Sequence, residues 1–160
     1  MKTNLPQGID IRKMEPGEEG RIAELVLRTF AAASDEYDEQ AVETFVQMVS
    51  PDTLAEIISD EDCFFFNAYD KEDLVGTIGV RNGNHIFLFF VDTKYQRKGI
   101  GRVLVGTAIA HIKQRYPSAR EILVHSSRGA IVAYEHMGFR KIGKEVVQEG
   151  IVSTPMCKHV

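Results

Sequence analysis

Gln96-Arg97-Lys98-Gly99-Ile100-Gly101 places two glycines and two cations immediately ahead of a helical hydrophobic pattern. That combination suits an anion. Glycine allows close backbone approach, and the first amides of a helix point outward at the positive end of its dipole. The charge distribution narrows the kind of anion. The 160-residue chain carries −4 overall, yet Thr93 to Arg120 contains no Asp or Glu, and its Lys94, Arg97, Lys98, Arg102, Lys113, Arg115 and Arg120 leave the remainder at −11. A basic segment on an acidic chain favours a small, highly charged ligand over a long polyphosphate such as DNA. Lys113, Arg115 and Arg120 read as a solvated helix face, and the same reading stands beside the ligand role of Arg97, Lys98 and Arg102.

Such a loop has to be held between a strand and a helix. Ile86-Phe87-Leu88-Phe89-Phe90-Val91 is a bulky run without helical spacing, preceded by the turn signal Asn82-Gly83, and it predicts a strand buried on both faces. After the loop, Ile100, Val103, Leu104, Thr107, Ala108, His111 and Ile112 recur at helical spacing until Pro117 stops the element. Upstream, Ile9 to Met14 alternates as a strand. Helices are expected over Glu18 to Ala32, about Asp38 to Val49, and from a Ser50 cap to Ile58. Cys63 to Tyr69 and Leu74 to Arg81 continue as antiparallel strands. Glu121 to Ser126, reached through a helical crossover, should lie parallel to the strand before the loop. Ser127 to Met137 is a further helix. Arg140 to Val147 and Ile151 to Lys158 close the chain as a hairpin. The sum is one α/β domain over residues 1–160, with a mixed, mostly antiparallel sheet of about seven strands and flanking helices.

Composition is that of an ordinary globular protein, 44% hydrophobic and 26% charged. No segment is long or apolar enough to cross a bilayer, and Met1 to Pro6 lacks the apolar run of a secretion signal. Cys63 and Cys157 fit neither a disulfide framework nor a zinc site. Both read as reduced packing residues of a cytoplasmic protein, with a nucleophilic Cys63 as the alternative. No metal is expected.

The loop resembles the Q/R-x-x-G-x-G/A motif of the GNAT superfamily of N-acetyltransferases. A second stretch, Ala130-Ile131-Val132-Ala133-Tyr134-Glu135-His136-Met137-Gly138-Phe139, is similar to that family's helix signature ending in Gly-Phe. The resemblance covers nearly the full length and implies acetyl-CoA as cosubstrate, held where the fourth and fifth strands, parallel to each other, splay apart. Pantetheine amides would pair with main chain at Phe89, Phe90 and Val91, and the pyrophosphate would meet the amides of Gln96, Arg97, Lys98, Gly99, Ile100, Gly101 and Arg102. Tyr134 falls at the position of the family's usual general acid to the CoA thiolate, and a helix tyrosine anchored on the core is the other reading.

The family's frequent Glu on the fifth strand is Ile122 here. His125 is therefore the candidate base, set against ordered water and against a buried, hydrogen-bonded histidine. The family's cofactor-contacting Asn is Ser127. Acceptor choice would lie in the segment joining the first two helices, where Ser34-Asp35-Glu36-Tyr37-Asp38-Glu39 is acidic and suits a cationic small-molecule or peptide amine, and in the last hairpin. The expected function is transfer of acetyl from acetyl-CoA to a primary amine by direct attack. The alternative is a non-catalytic CoA-binding or regulatory module. Neither nucleic acid nor membrane is an expected partner, and pairing of two chains through their last strands is left open.

Overall fold

The computed structural model describes residues 5–32 and 37–160. Strand β1 (Ile9–Lys13) is followed by helices α1 (Glu19–Ala32), α2 (Glu39–Met48) and α3 (Pro51–Ile58), then by β2 (Phe64–Asp70), β3 (Asp73–Arg81) and β4 (His85–Val91). Helix α4 (Ile100–Arg115) leads to β5 (Glu121–Ser126) and the short α5 (Ile131–His136). Strands β6 (Arg140–Lys141), β7 (Val146–Gln148) and β8 (Ile151–His159) end the chain. The sheet runs β1-β2-β3-β4-β5-β8-β6, with β7 paired to β8. Every pairing is antiparallel except β4 with β5.

Helices cover the sheet in two groups. Ile22, Leu25, Val26 and Phe30 of α1, with Phe45 of α2 and Leu54 of α3, pack on Phe65, Tyr69, Leu74 and Leu88. Ile100, Leu104, Val105, Ala108 and Ile112 of α4 pack with Tyr134 and Phe139 on Val75, Ile78, Val80, Ile86 and Val91. Two of the helix starts carry a local cause. Asp38 caps α2 by accepting from the Ala41 N–H at 2.8 Å, and Ser50 caps α3 by accepting from the Thr53 N–H at 3.3 Å, with Pro51 next. No helix among the described residues is long and apolar enough to cross a membrane.

The expected mixed, mostly antiparallel sheet with β4 and β5 parallel is present, and three details differ from the sequence reading. The sheet has eight strands, because the expected strand from Arg140 to Val147 is interrupted. Arg140 and Lys141 pair with Cys157 and Met156 on one stretch of β8, whereas Val146 to Gln148 pair with Ile151 to Ser153 farther along it. The expected helix from Ser127 to Met137 opens as a 3-10 turn over Arg128–Ala130 and is α-helical only from Ile131. The third difference is in β4. Val80 pairs with Ile86 and Gly79 with Leu88, so Phe87 is an extra residue on β4. This bulge reverses the alternation: Ile86 joins the α4 side, while Leu88 joins the α1 to α3 side.

Candidate active site

Strands β4 and β5 stay together for only two residue pairs, His85 with Leu123 and Ile86 with Val124. The bulge follows at once, and β4 runs on to Val91 along β3 alone. The two parallel strands therefore part at their C-terminal ends and leave a fork in the sheet. Asp92 donates its N–H to Val75 of β3 at 2.8 Å, and Phe90 pairs with Thr77, so by strand alternation Phe89 and Val91 turn their backbone groups the other way, into the fork. Of the three β4 residues picked from sequence, Phe89 and Val91 face the opening and the backbone of Phe90 faces β3. Gln96 already uses one of those groups, donating from Nε2 to the Val91 carbonyl at 2.9 Å.

Three contacts outside the motif fix the loop. Asp92 caps the 3-10 turn at Thr93–Tyr95 by accepting from the Lys94 N–H, and its other carboxylate oxygen takes the Arg28 guanidinium of α1 at 2.8 Å. The Tyr95 hydroxyl donates to Asp70 of β2 at 2.6 Å. Nothing in the sequence linked Arg28 or Asp70 to the loop, because both contacts join residues far apart in the chain. Beyond Tyr95, Arg97 and Gly99 both adopt positive φ, 61° and 88°.

Helix α4 then starts on Gly99 without a side-chain cap, unlike α2 and α3. Its first-turn amides are left for another acceptor. Gly101 is needed for a different reason. A Cβ there would lie 3.0 Å from the Phe89 ring and 3.8 Å from Val91 Cγ2, so the missing side chain is what lets α4 begin against the end of β4. Arg97, Lys98 and Arg102 are exposed around this start, with Lys98 Nζ 5.5 Å from the Tyr95 ring centroid. A cleft of about 400 Å³ lies alongside, between Arg28, Thr29 and Ala32 of α1 and Asp92 to Lys94.

Tyr134 approaches from α5. That helix ends in a Schellman motif: Gly138 at φ 94° donates to the Glu135 carbonyl, Phe139 donates to the Tyr134 carbonyl, both at 3.0 Å, and the Phe139 ring folds back to 5.3 Å from that of Tyr134. The Gly-Phe pair noted in the sequence is thus the device that orients the tyrosine. Its ring is 6% exposed and 5.9 Å from Phe89, so the core-anchor reading holds for the ring. The hydroxyl has no hydrogen-bond partner among the described residues, and burial raises its pKa well above the usual phenol range. Ser127 sits half-buried at the end of β5, ahead of the 3-10 turn, and its hydroxyl caps nothing.

His125 is exposed, contrary to the buried alternative, and its Nδ1 lies 3.2 Å from Nε2 of His85. His85 was missed from sequence because it opens β4 and meets His125 only through the β4–β5 register. Cys63 and Cys157 are buried thiols, as expected, and burial beside Asp60 pushes Cys63 up to about 11, which leaves no thiolate for a nucleophile. Thr44 of α2 donates to the Glu149 carbonyl at 2.9 Å, joining α2 to the β7–β8 turn. Residues 34–36 of the acidic run lie outside the described residues.

The sequence profile of a family described as an acetyltransferase (GNAT) domain matches residues 33–160. The chain belongs to the GNAT acetyltransferase family. GNAT proteins of known structure share its fold. A GCN5-related N-acetyltransferase from Rhodopseudomonas palustris superposes with a TM-score of 0.83 at 18% identity, covering 100% of this chain and 99% of that one. The PaiA N-acetyltransferase of Thermoplasma acidophilum, solved in complex with coenzyme A, gives 0.80 at 20% identity, covering 95% and 99%. A spermidine N-acetyltransferase from Vibrio cholerae, in complex with CoA and spermine, gives 0.65 at 19% identity and covers 96% of each chain. Family membership makes the chain an acyltransferase.

Proposed function

We propose that the protein is a single-domain N-acetyltransferase that moves acetyl from acetyl-CoA to a cationic primary amine by direct attack. The observation that carries this reading is the uncapped start of α4 on Gly99 and Gly101 beside a fork whose open edge presents the backbone of Phe89 and Val91. Gln96 to Arg102 would hold the pyrophosphate through main-chain amides, a helix-end contribution of roughly 0.3 to 1 kcal/mol at an exposed site. Arg97, Lys98 and Arg102 add exposed charge around it. The free edge of β4 would hold the pantetheine arm, with Ser127 across the fork at the end of β5.

Acetyl-CoA supplies the acetyl group as an activated thioester. Toward it, the chain contributes two donors and a base. The backbone N–H of Phe89 or Val91 is the preorganised donor for the oxyanion, a type of contact worth roughly 3 kcal/mol when lost. Tyr134 donates to the departing sulfur, and His125, or water it orders, takes the proton the acceptor must shed. Complexes of structural neighbours with CoA and with spermine support both halves of the reaction. The acidic residues of the segment between α1 and α2 favour a cationic acceptor.

Release of the CoA thiol from acetyl-CoA should be measured across a panel of polyamines, amino sugars and peptide amines, with CoA binding measured in parallel. Turnover on a cationic amine is expected. Tight CoA binding with no turnover on any amine would overturn the enzyme reading in favour of a binding module.

A further inference from the structure

We infer that His85 is a positioning residue for His125, and that the two imidazoles form one proton-accepting pair at the fork between β4 and β5. This rests on the reading of His125 as the base. Their ring nitrogens are 3.2 Å apart and their centroids 5.2 Å, across the last residues at which the two strands still pair. His125 follows directly on Val124, the last residue of β5 that pairs with β4. The fork thus starts where the pair sits.

Only one hydrogen fits between the two nitrogens. With the hydrogen on His125 Nδ1, His85 Nε2 accepts it, and the exposed Nε2 of neutral His125 keeps a lone pair. With the hydrogen on His85 Nε2, neutral His125 carries its own on Nε2 and cannot act as a base there. The surroundings favour His85 as the lasting acceptor. It is half-buried and stands opposite Arg81 of β3, and burial, Arg81 and His125 together bring its pKa down to about 4. Arg81 also acts on the Cys63 thiol together with Asp60, and β8 places Pro155, an uncharged residue, opposite His125. When His125 takes a proton on Nε2, neutral His85 still accepts from its Nδ1–H, as the orienting member of a catalytic triad does for its histidine.

The proton balance closes. One proton moves from the acceptor ammonium to His125 Nε2. The freed lone pair forms the N–C bond, the C–S bond breaks with its electrons on sulfur, and sulfur takes a proton from Tyr134. The second proton lost by nitrogen returns through solvent to Tyr134, and His125 discharges to solvent, so one proton is released per turnover.

The test reads tautomers as well as rates. Nitrogen-15 imidazole shifts of the labelled protein above pH 7 should show His125 protonated on Nδ1 and His85 unprotonated on Nε2. The opposite assignment would overturn the proposal without reference to activity. In kinetics, His85→Phe should lower kcat roughly tenfold or more and displace the acidic limb of the pH profile, leaving KM for acetyl-CoA within about twofold. His85→Gln, which restores an acceptor, should recover most of the loss. An unmoved limb and an unchanged kcat in His85→Phe, with His125→Gln still impaired, would sink the positioning role alone. Full activity in His125→Gln would sink the base reading beneath it.

Discussion

Tyr134 combines a buried ring with a hydroxyl that no described residue engages. Burial disfavours the phenolate, so the group stays protonated across any practical assay range, but as a weaker acid than a free phenol. In the proposed reaction donation therefore has to be driven by the charge that develops on sulfur as the C–S bond breaks. Replacing the tyrosine by phenylalanine keeps the contacts with Phe89 and Phe139 and removes only the donor. Tyr134→Phe should therefore lower kcat by roughly 100-fold with acetyl-CoA affinity within about twofold, as steady-state kinetics and calorimetry would show. The pH profile of the residual activity should not move, because the phenol does not titrate within it. An unchanged kcat removes Tyr134 from the acid role. The raised pKa has a second consequence: above pH ~10 the unfolded chain loses this proton while the folded one keeps it, so wild-type stability falls there with rising pH and that of Tyr134→Phe falls less.

At the scale of elements, the join between β4 and α4 sets the geometry of the loop. A methyl group at Gly101 meets the Phe89 ring at 3.0 Å, and Phe89 also carries the backbone that faces the fork. Relief requires the ring to tilt or α4 to withdraw, and either change disturbs both sides of the binding site. Gly101→Ala should weaken CoA binding roughly tenfold, or about 1.4 kcal/mol, within the usual cost of overpacking. Lys98→Ala, which removes an exposed charge, should cost only about twofold. Equal losses in direct titrations would shift the weight from backbone to side-chain recognition. This join was legible in the sequence because its causes are local, a strand-length apolar run and glycines at a helix start, and so was the end of α5, marked by a Gly-Phe pair. The bulge at Phe87, the pairing of His85 with His125 and the Arg28 and Asp70 tethers were not. Each depends on which distant strand or helix the chain meets, and a one-residue shift in register would abolish the histidine contact.

Across the whole molecule, seven cations without a single acid occupy Thr93 to Arg120, and the rest of the chain is strongly negative. Only the loop end of that segment lies at the fork. A polyanionic ligand is therefore drawn to one end of an otherwise repelling body, and the attraction must weaken as salt shortens the Debye length from ~10 Å at 0.1 M to ~3 Å at 1 M. The proposed amide contacts of the glycine loop are short-ranged and should survive that screening better. CoA affinity should accordingly fall with added salt and then level off, instead of declining without limit. In the proposed complex the ligand bridges β4 with α4 at the fork, so its binding should register as global stability. At 100 times its Kd, CoA contributes about 2.7 kcal/mol to the folded state, and for a chain of this size that raises Tm by roughly 5 to 10 °C. Thermal melts with CoA at 0.1 M and 1 M salt test both points together: a full shift at low salt, a reduced but persistent one at high salt. A shift that vanishes at 1 M would mean the exposed cations alone hold the nucleotide and the uncapped helix start does not.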